Sequence, residues 1–145
     1  MIPMLVLLND LMTANRYQRA RADHSRENTE DYVELIDTLI RETGEARVVD
    51  IADRLGISHV SVTKTVRRLQ REGLVTTLPY RSIFLTDAGR HIAEESRTRH
   101  LLVLTFLQKL GVPLEIAEND AEGIEHHVSG ATLRAMEQFI EDGHT

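Results

Sequence analysis

Glu122, Glu125 and His126 stand three and four positions apart in the stretch Glu122-Gly123-Ile124-Glu125-His126-His127. On an α-helix that spacing turns side chains to one face, so two carboxylates and an imidazole would meet at one spot. Oxygen donors with some nitrogen suit a divalent cation. Acidic helices also show such faces to water by default, and the motif alone leaves that reading open. Asp31 and Glu34 form a second pair, three apart near the start of an amphipathic stretch. They read either as surface acids complementing a helix dipole or as ligands lacking a partner. His100 stands alone before an apolar run, where a hydrogen-bonded boundary histidine is the ordinary reading.

The 145 residues include no cysteine, which excludes disulfides, zinc–thiolate sites and iron–sulfur clusters. Any metal must therefore be held by His, Asp, Glu or backbone oxygen. The formal net charge is −6, a poor advertisement for nucleic-acid binding, but it conceals two opposite regions. Between Ser58 and Arg81 the bases Lys64, Arg67, Arg68, Arg71 and Arg81 face a single acid, Glu72. From Gly111 onward eight acids face one base, Arg134. The middle suits an anion and the tail a cation.

The elements that must position these residues are legible from periodicity. The apolar run in the first dozen residues is too short to span a bilayer and lacks a basic lead or a clear cleavage site; a cytoplasmic location is expected. Residues 13–28 read as a flexible or loosely helical arm. Thr29 reads as the cap of a helix to about Thr43, with Tyr32, Val33, Leu35, Ile36, Leu39 and Ile40 as its apolar stripe. A short helix with Ile51, Ala52 and Leu55 follows, then a turn at Gly56 plugged by Ile57. Ser58 caps the next helix. That helix turns Val62, Val66 and Leu69 inward and Val60, Lys64, Arg67 and Arg71 outward, with His59 and Ser61 near its leading end. This is a helix-turn-helix. Two short extended runs, 74–78 and 83–85, make a hairpin whose tip carries Arg81, so the unit is a winged helix. His59, Ser61, Lys64, Arg67, Arg68, Arg71 and Arg81 are the candidate DNA contacts.

From Thr86 to about Leu110 a long helix is expected. Leu101, Leu102, Val103, Leu104, Phe106, Leu107 and Leu110 make it apolar on several sides, for which a second subunit is the natural cover. Two shorter helices follow, roughly Leu114–Val128 and, after Ser129, Gly130–Glu141. The fold class is mostly α: an N-terminal winged helix-turn-helix with a small β-hairpin wing, then an all-helical dimerisation domain. The expected boundaries are 1–28 for an extension, 29–90 for the DNA-binding domain and 91–145 for the metal-binding and dimerisation domain.

The chain resembles the diphtheria-toxin-repressor family of metal-dependent transcription factors, and within it the manganese transport regulators. The resemblance rests on Asp31-Tyr-Val-Glu34, the Ala46-Arg-Val-Val-Asp-Ile-Ala start, Ser61-Val-Thr-Lys, Leu85-Thr-Asp-Ala-Gly89, Arg99-His100 and Glu122-Gly-Ile-Glu-His-His127. It runs from about residue 30 to 130 in the family's order. It implies a two-metal site between the DNA-binding and dimerisation domains, with Asp31, Glu34, His100, Glu122, Glu125 and His126 as ligands. His127 has no liganding role in the pattern and is assigned a supporting one. Iron-responsive members carry Met at the position of Asp31 and Cys at that of Glu125. Carboxylates there harden the site toward Mn2+. The resemblance thus implies a non-enzymatic, manganese-responsive transcriptional regulator, a repressor of Mn uptake genes or alternatively an activator of export, with about two Mn2+ per subunit, acting as a homodimer on palindromic double-stranded operator DNA. The rival readings are a winged-helix regulator sensing an organic ligand and a dimetal hydrolase, although no nucleophile motif or phosphate-cradling glycine loop supports the latter.

Overall fold

The computed structural model describes residues 2–78 and 82–143. No glycine or proline interrupts the chain between Pro3 and Gly44, and the whole stretch forms one helix, α1 (Ile2–Thr43). The arm expected over 13–28 is thus helical, and Thr29 is an interior residue rather than a cap. Thr29 Oγ1 instead accepts a hydrogen bond from Arg68 at 3.2 Å. Gly44, at φ 85°, ends the helix, in the left-handed region that glycine enters without a Cβ clash.

Helices α2 (Val48–Leu55) and α3 (His59–Arg71) follow. Ser58 caps α3, its Oγ accepting from the Ser61 N–H at 3.1 Å, which satisfies a donor left over at the helix start. Ile57 is 40% exposed, so the turn is not plugged by it; Ile51 and Ala52 supply the buried contact. Strands β1 (Val75–Thr77) and β2 (Ile83–Leu85) pair antiparallel, Val75 opposite Leu85 and Thr77 opposite Ile83. The Ile83 N–H donates to Ala46 O at 2.8 Å, fastening the hairpin to the α1–α2 connection. Arg81 lies outside the described residues. Apolar side chains of α1, α2, α3 and the hairpin, with Ala93, form one core that includes Val33, Ile36, Ile51, Val62 and Leu69.

The long helix α4 (Asp87–Lys109) starts at Thr86, whose Oγ1 accepts from the Gly89 N–H at 3.1 Å. Gly89 is required by a close approach: a Cβ there would stand 2.2 Å from Leu74 O. The helix then packs along α1, held by Arg97–Asp37 and Arg99–Glu30 ion pairs, each 2.6 Å. Its far half joins α5 (Leu114–Ile124) and α6 (Gly130–Glu141) around a second core of Val103, Leu104, Ala117 and Ala121. Leu101, Leu110, Leu114 and Ile116 stay more than half exposed, leaving an apolar flank on α4 and α5. Among the described residues no helix is long and apolar enough to cross a membrane.

Candidate metal centre and nucleic-acid interface

Helix α5 stops at Ile124, four residues before the expected end. Glu125 is its cap, and the N–H groups of His126 and His127 reach back only three residues, to Gly123 O and Ile124 O. This tightening breaks the regular helical spacing. Glu122 and Glu125 therefore turn toward α4, whereas His126 turns toward α1. The expected single face is split into two adjoining clusters.

In the first cluster, His100, Glu122 and Glu125 offer ligand atoms within 4.8 Å of one another. His100 Nδ1 lies 2.5 Å from Glu125 Oε2 and 3.8 Å from Glu122 Oε1, while its Nε2 lies 2.9 Å from Glu118 Oε2. An imidazole whose far nitrogen meets a carboxylate is oriented as metal-binding histidines are. Burial would lower the His100 pKa, but Glu118 and Glu125 more than offset this and raise it. Glu125 is fully enclosed. Burial first, then the charge of Glu34, pushes its carboxyl up to about 7.

In the second cluster, Glu27, Asp31 and His126 come equally close. His126 is 2% exposed. Its Nδ1 lies 2.5 Å from Glu30 Oε2, and Glu30 Oε1 pairs with Arg99. The other nitrogen, Nε2, lies 3.1 Å from Asp31 Oδ1 and 3.3 Å from Glu125 Oε1, close enough to attract but too poorly aimed for a hydrogen bond. Burial opposes a charge on this ring, yet Asp31 and Glu30 outweigh it and lift His126 to about 10. Glu30 is likewise penalised by burial, but His126 and Arg99 hold its carboxyl below the usual range.

Glu34 couples the two clusters. Burial raises its pKa, as do the charges of Glu122 and Asp31. Ser96 and His126 act the other way, although no hydrogen bond of ordinary geometry reaches Glu34 Oε1 or the Ser96 hydroxyl. Three buried donor or acceptor atoms of the six expected ligands are thereby orphaned: Glu34 Oε1, Glu125 Oε1 and His126 Nε2. Such atoms are costly to bury without a partner. Divalent cations held at the two clusters could engage such atoms once the imidazole gives up its proton, and the donor set of carboxylate oxygen with imidazole nitrogen fits a hard ion.

All six expected ligands thus lie in or beside these two clusters. Glu27, Glu30 and Glu118 were not expected there. The available signal was helical spacing: Glu27 precedes Asp31 by four, and Glu118 precedes Glu122 by four.

On the opposite end, His59, Ser61, Lys64, Arg67 and Arg71 are exposed. His59, Lys64, Arg67 and Arg71 line an open groove of about 600 Å³ with Val60, itself 79% exposed. Ser61 also serves the cap, its Oγ accepting from the Ser58 hydroxyl at 3.0 Å. Arg68 points elsewhere. Its guanidinium is bound to Thr29 and to Glu72, 3.1 Å away.

Two family models match this chain in succession. The iron dependent repressor N-terminal DNA-binding domain matches residues 24–83, and the iron dependent repressor metal binding and dimerisation domain matches residues 86–145. The transcriptional regulator MntR of Escherichia coli O157:H7 is 50% identical over 135 residues, covering 93% of this chain and 87% of the relative. The chain belongs to the iron-dependent repressor family, in its MntR branch. A second relative, the HTH-type transcriptional regulator MntR of Bacillus subtilis strain 168, is 45% identical over 112 residues, with 77% and 79% coverage. Among solved structures, a manganese-dependent transcriptional repressor in complex with manganese is 29% identical with a TM-score of 0.67. It matches over 78% of this chain, which spans about half of that structure's length (52%). The iron-dependent repressor family is one of transcriptional regulators with a metal cofactor, not of enzymes.

Proposed function

We propose that this iron-dependent repressor is a manganese-responsive regulator whose metal-loaded homodimer binds palindromic operator DNA. The observation that carries the reading is the meeting of Asp31 and Glu34 on α1 with His100 on α4 and with Glu122, Glu125 and His126 around the end of α5. Three of their buried polar atoms make no hydrogen bond among the described residues. The ligand set is rich in oxygen and has no sulfur, which favours a hard ion. Since Mn2+ binds weakly among the divalent first-row metals, selectivity must come from geometry and ligand number. Four carboxylates and two neutral imidazoles balance two divalent ions, the expected content per subunit.

A bound ion supplies positive charge that relieves the repulsion among these carboxylates. The residues themselves explain how this would reach DNA. Asp31 and Glu34 lie on the helix that forms the floor of the winged-helix core, whereas Glu122, Glu125 and His126 belong to the far helical layer. Fixing one set against the other restricts the pose of α3. In a symmetric dimer two such helices must stand roughly 34 Å apart or at a multiple of that spacing. A coupling of about 1–3 kcal/mol would change operator affinity some 5- to 150-fold. His59, Ser61 and Lys64 are assigned to base edges, and Arg67 and Arg71 to phosphates. Arg68 is left out of the contact set because it is occupied within the chain. The exposed apolar flank of α4 and α5 is assigned to the dimer.

The test is a mobility-shift titration on a palindromic promoter fragment with Mn2+, Fe2+, Zn2+ and a chelator. Mn2+ should promote the shift at the lowest concentration, and the chelator should reverse it. A shift indifferent to chelator would favour a regulator sensing something other than a metal.

A further inference from the structure

Of the three acids at the centre that neither the sequence motifs nor the resemblance assigns, Glu27 alone belongs to a group whose ligand atoms converge as a metal site requires. It stands one turn before Asp31 on α1, and its side chain is 28% exposed. With Asp31 and His126 it presents ligand atoms that all lie within 4.8 Å of one another. The second observation is independent of the acids. His126 Nε2 is buried, has no hydrogen-bond partner and faces Asp31 Oδ1 at 3.1 Å. A nitrogen so enclosed is the inner wall of a cation site whose other sides are the partly exposed carboxylates of Asp31 and Glu27. We propose that Glu27 is a further ligand, a fifth carboxylate, for the divalent cation, and that it raises the site's preference for hard ions.

The neighbourhood holds the carboxylate in position. Its Oε2 lies 3.0 Å from His127 Nε2, giving His127 the supporting duty that metal-bound carboxylates normally require. A carboxylate has two oxygens and can meet both His127 and a cation. Next to it, Arg26 donates to His126 O at 2.8 Å, so this stretch of α1 is tied to the turn that carries His126. Adding Glu27 gives five carboxylates against two imidazoles, one negative charge more than two divalent ions balance, which the neighbouring His127 can offset when protonated. Softer ions that favour nitrogen or sulfur gain less from the extra oxygen than Mn2+ does.

This inference rests on the proposal that the centre binds a divalent cation, and the experiment separates the two. The probe is Mn2+ alone, its free signal followed by electron paramagnetic resonance as the full chain is added. Wild type, Glu27→Gln and Asp31→Asn are compared, with far-UV circular dichroism verifying the fold. Glu27→Gln should weaken one class of Mn2+ site by at least about tenfold and reduce the preference for Mn2+ over Zn2+ in competition. If Glu27→Gln matches wild type while Asp31→Asn binds weakly, Glu27 is only a partner of His127 and the proposal fails, with the centre intact. If all three isotherms coincide, the centre itself is misassigned and Glu27 falls with it. Should Glu27→Gln not fold, an anomalous-difference map of Mn2+-loaded wild-type crystals decides. A peak about 2.0–2.6 Å from a Glu27 oxygen supports ligation, and one beyond about 3.5 Å from both oxygens overturns it.

Discussion

In the metal-free chain the His126 imidazole holds a proton that a metal must displace. With its pKa raised to about 10, the ring is cationic at neutral pH, and Glu125, raised to about 7, is near half-protonated. Ligands bind metal in their deprotonated forms, so Mn2+ binding at pH 7 should release roughly one to two protons from these two groups. The signs agree for both. A folded-state pKa above the ordinary value favours the fold at low pH and loses that contribution as pH rises through the shifted value. For Glu125 the loss spans 4.5 to about 7, and for His126 it spans 6.5 to about 10. The metal-induced rise in melting temperature should therefore be larger at pH 8 than at pH 6. Proton release can be read with an indicator in weak buffer. No release, with a melting shift indifferent to pH, would remove His126 and Glu125 from the ligand set. The acids that complete the site were hidden for a simple reason. Glu27 and Glu30 on long α1 and Glu118 on short α5 sit among other charged residues, where most acids face water. Only the fold shows that Glu30 is 4% exposed and seated between His126 and Arg99.

At the scale of elements, helices were read well where caps are local and poorly where the tertiary structure decides. Ser58, Thr86 and Ser129 cap their helices through hydrogen bonds to N–H groups three residues on, a rule carried by sequence alone. Thr29 has the same chemistry, yet α1 runs through it because nothing upstream breaks the helix. The early end of α5 was also illegible, since His126 and Glu125 are drawn to different partners after the chain has folded. Gly89 exposes the joint between the wing and α4. Leu74 O, which a Cβ on Gly89 would strike, already accepts from the Thr86 N–H at 3.0 Å. Gly89→Ala must displace backbone, and a loss of about 1–3 kcal/mol is expected. Denaturant midpoints measure it. An unchanged midpoint would mean that the wing moves aside without resistance and is not a fixed platform.

The whole molecule places a basic outer helix at one end and an acidic centre between its two cores, which is how a net charge of −6 is compatible with DNA binding. Arg67 is exposed on the groove side of α3, whereas Arg68, one residue on, is bound to Thr29 and Glu72. Neighbours in sequence thus have different duties, and a dimer makes the difference measurable. Each phosphate contact contributes about 0.9 to the slope of log affinity against log salt. Arg67→Ala removes one contact per subunit, so the dimer's slope should flatten by about 2, with affinity falling across operator variants alike. Arg68→Ala should leave the slope close to wild type and lower stability instead, since it deletes the Thr29 hydrogen bond between α1 and α3 and the Glu72 pair at the end of α3. Fluorescence anisotropy on labelled duplex at saturating Mn2+, from low to moderate salt, gives both slopes. Equal flattening by the two variants would put Arg68 on the DNA and require α1 and α3 to separate in the complex. Flattening by neither would move the phosphate track off α3, and the assignment of its outer face would fail.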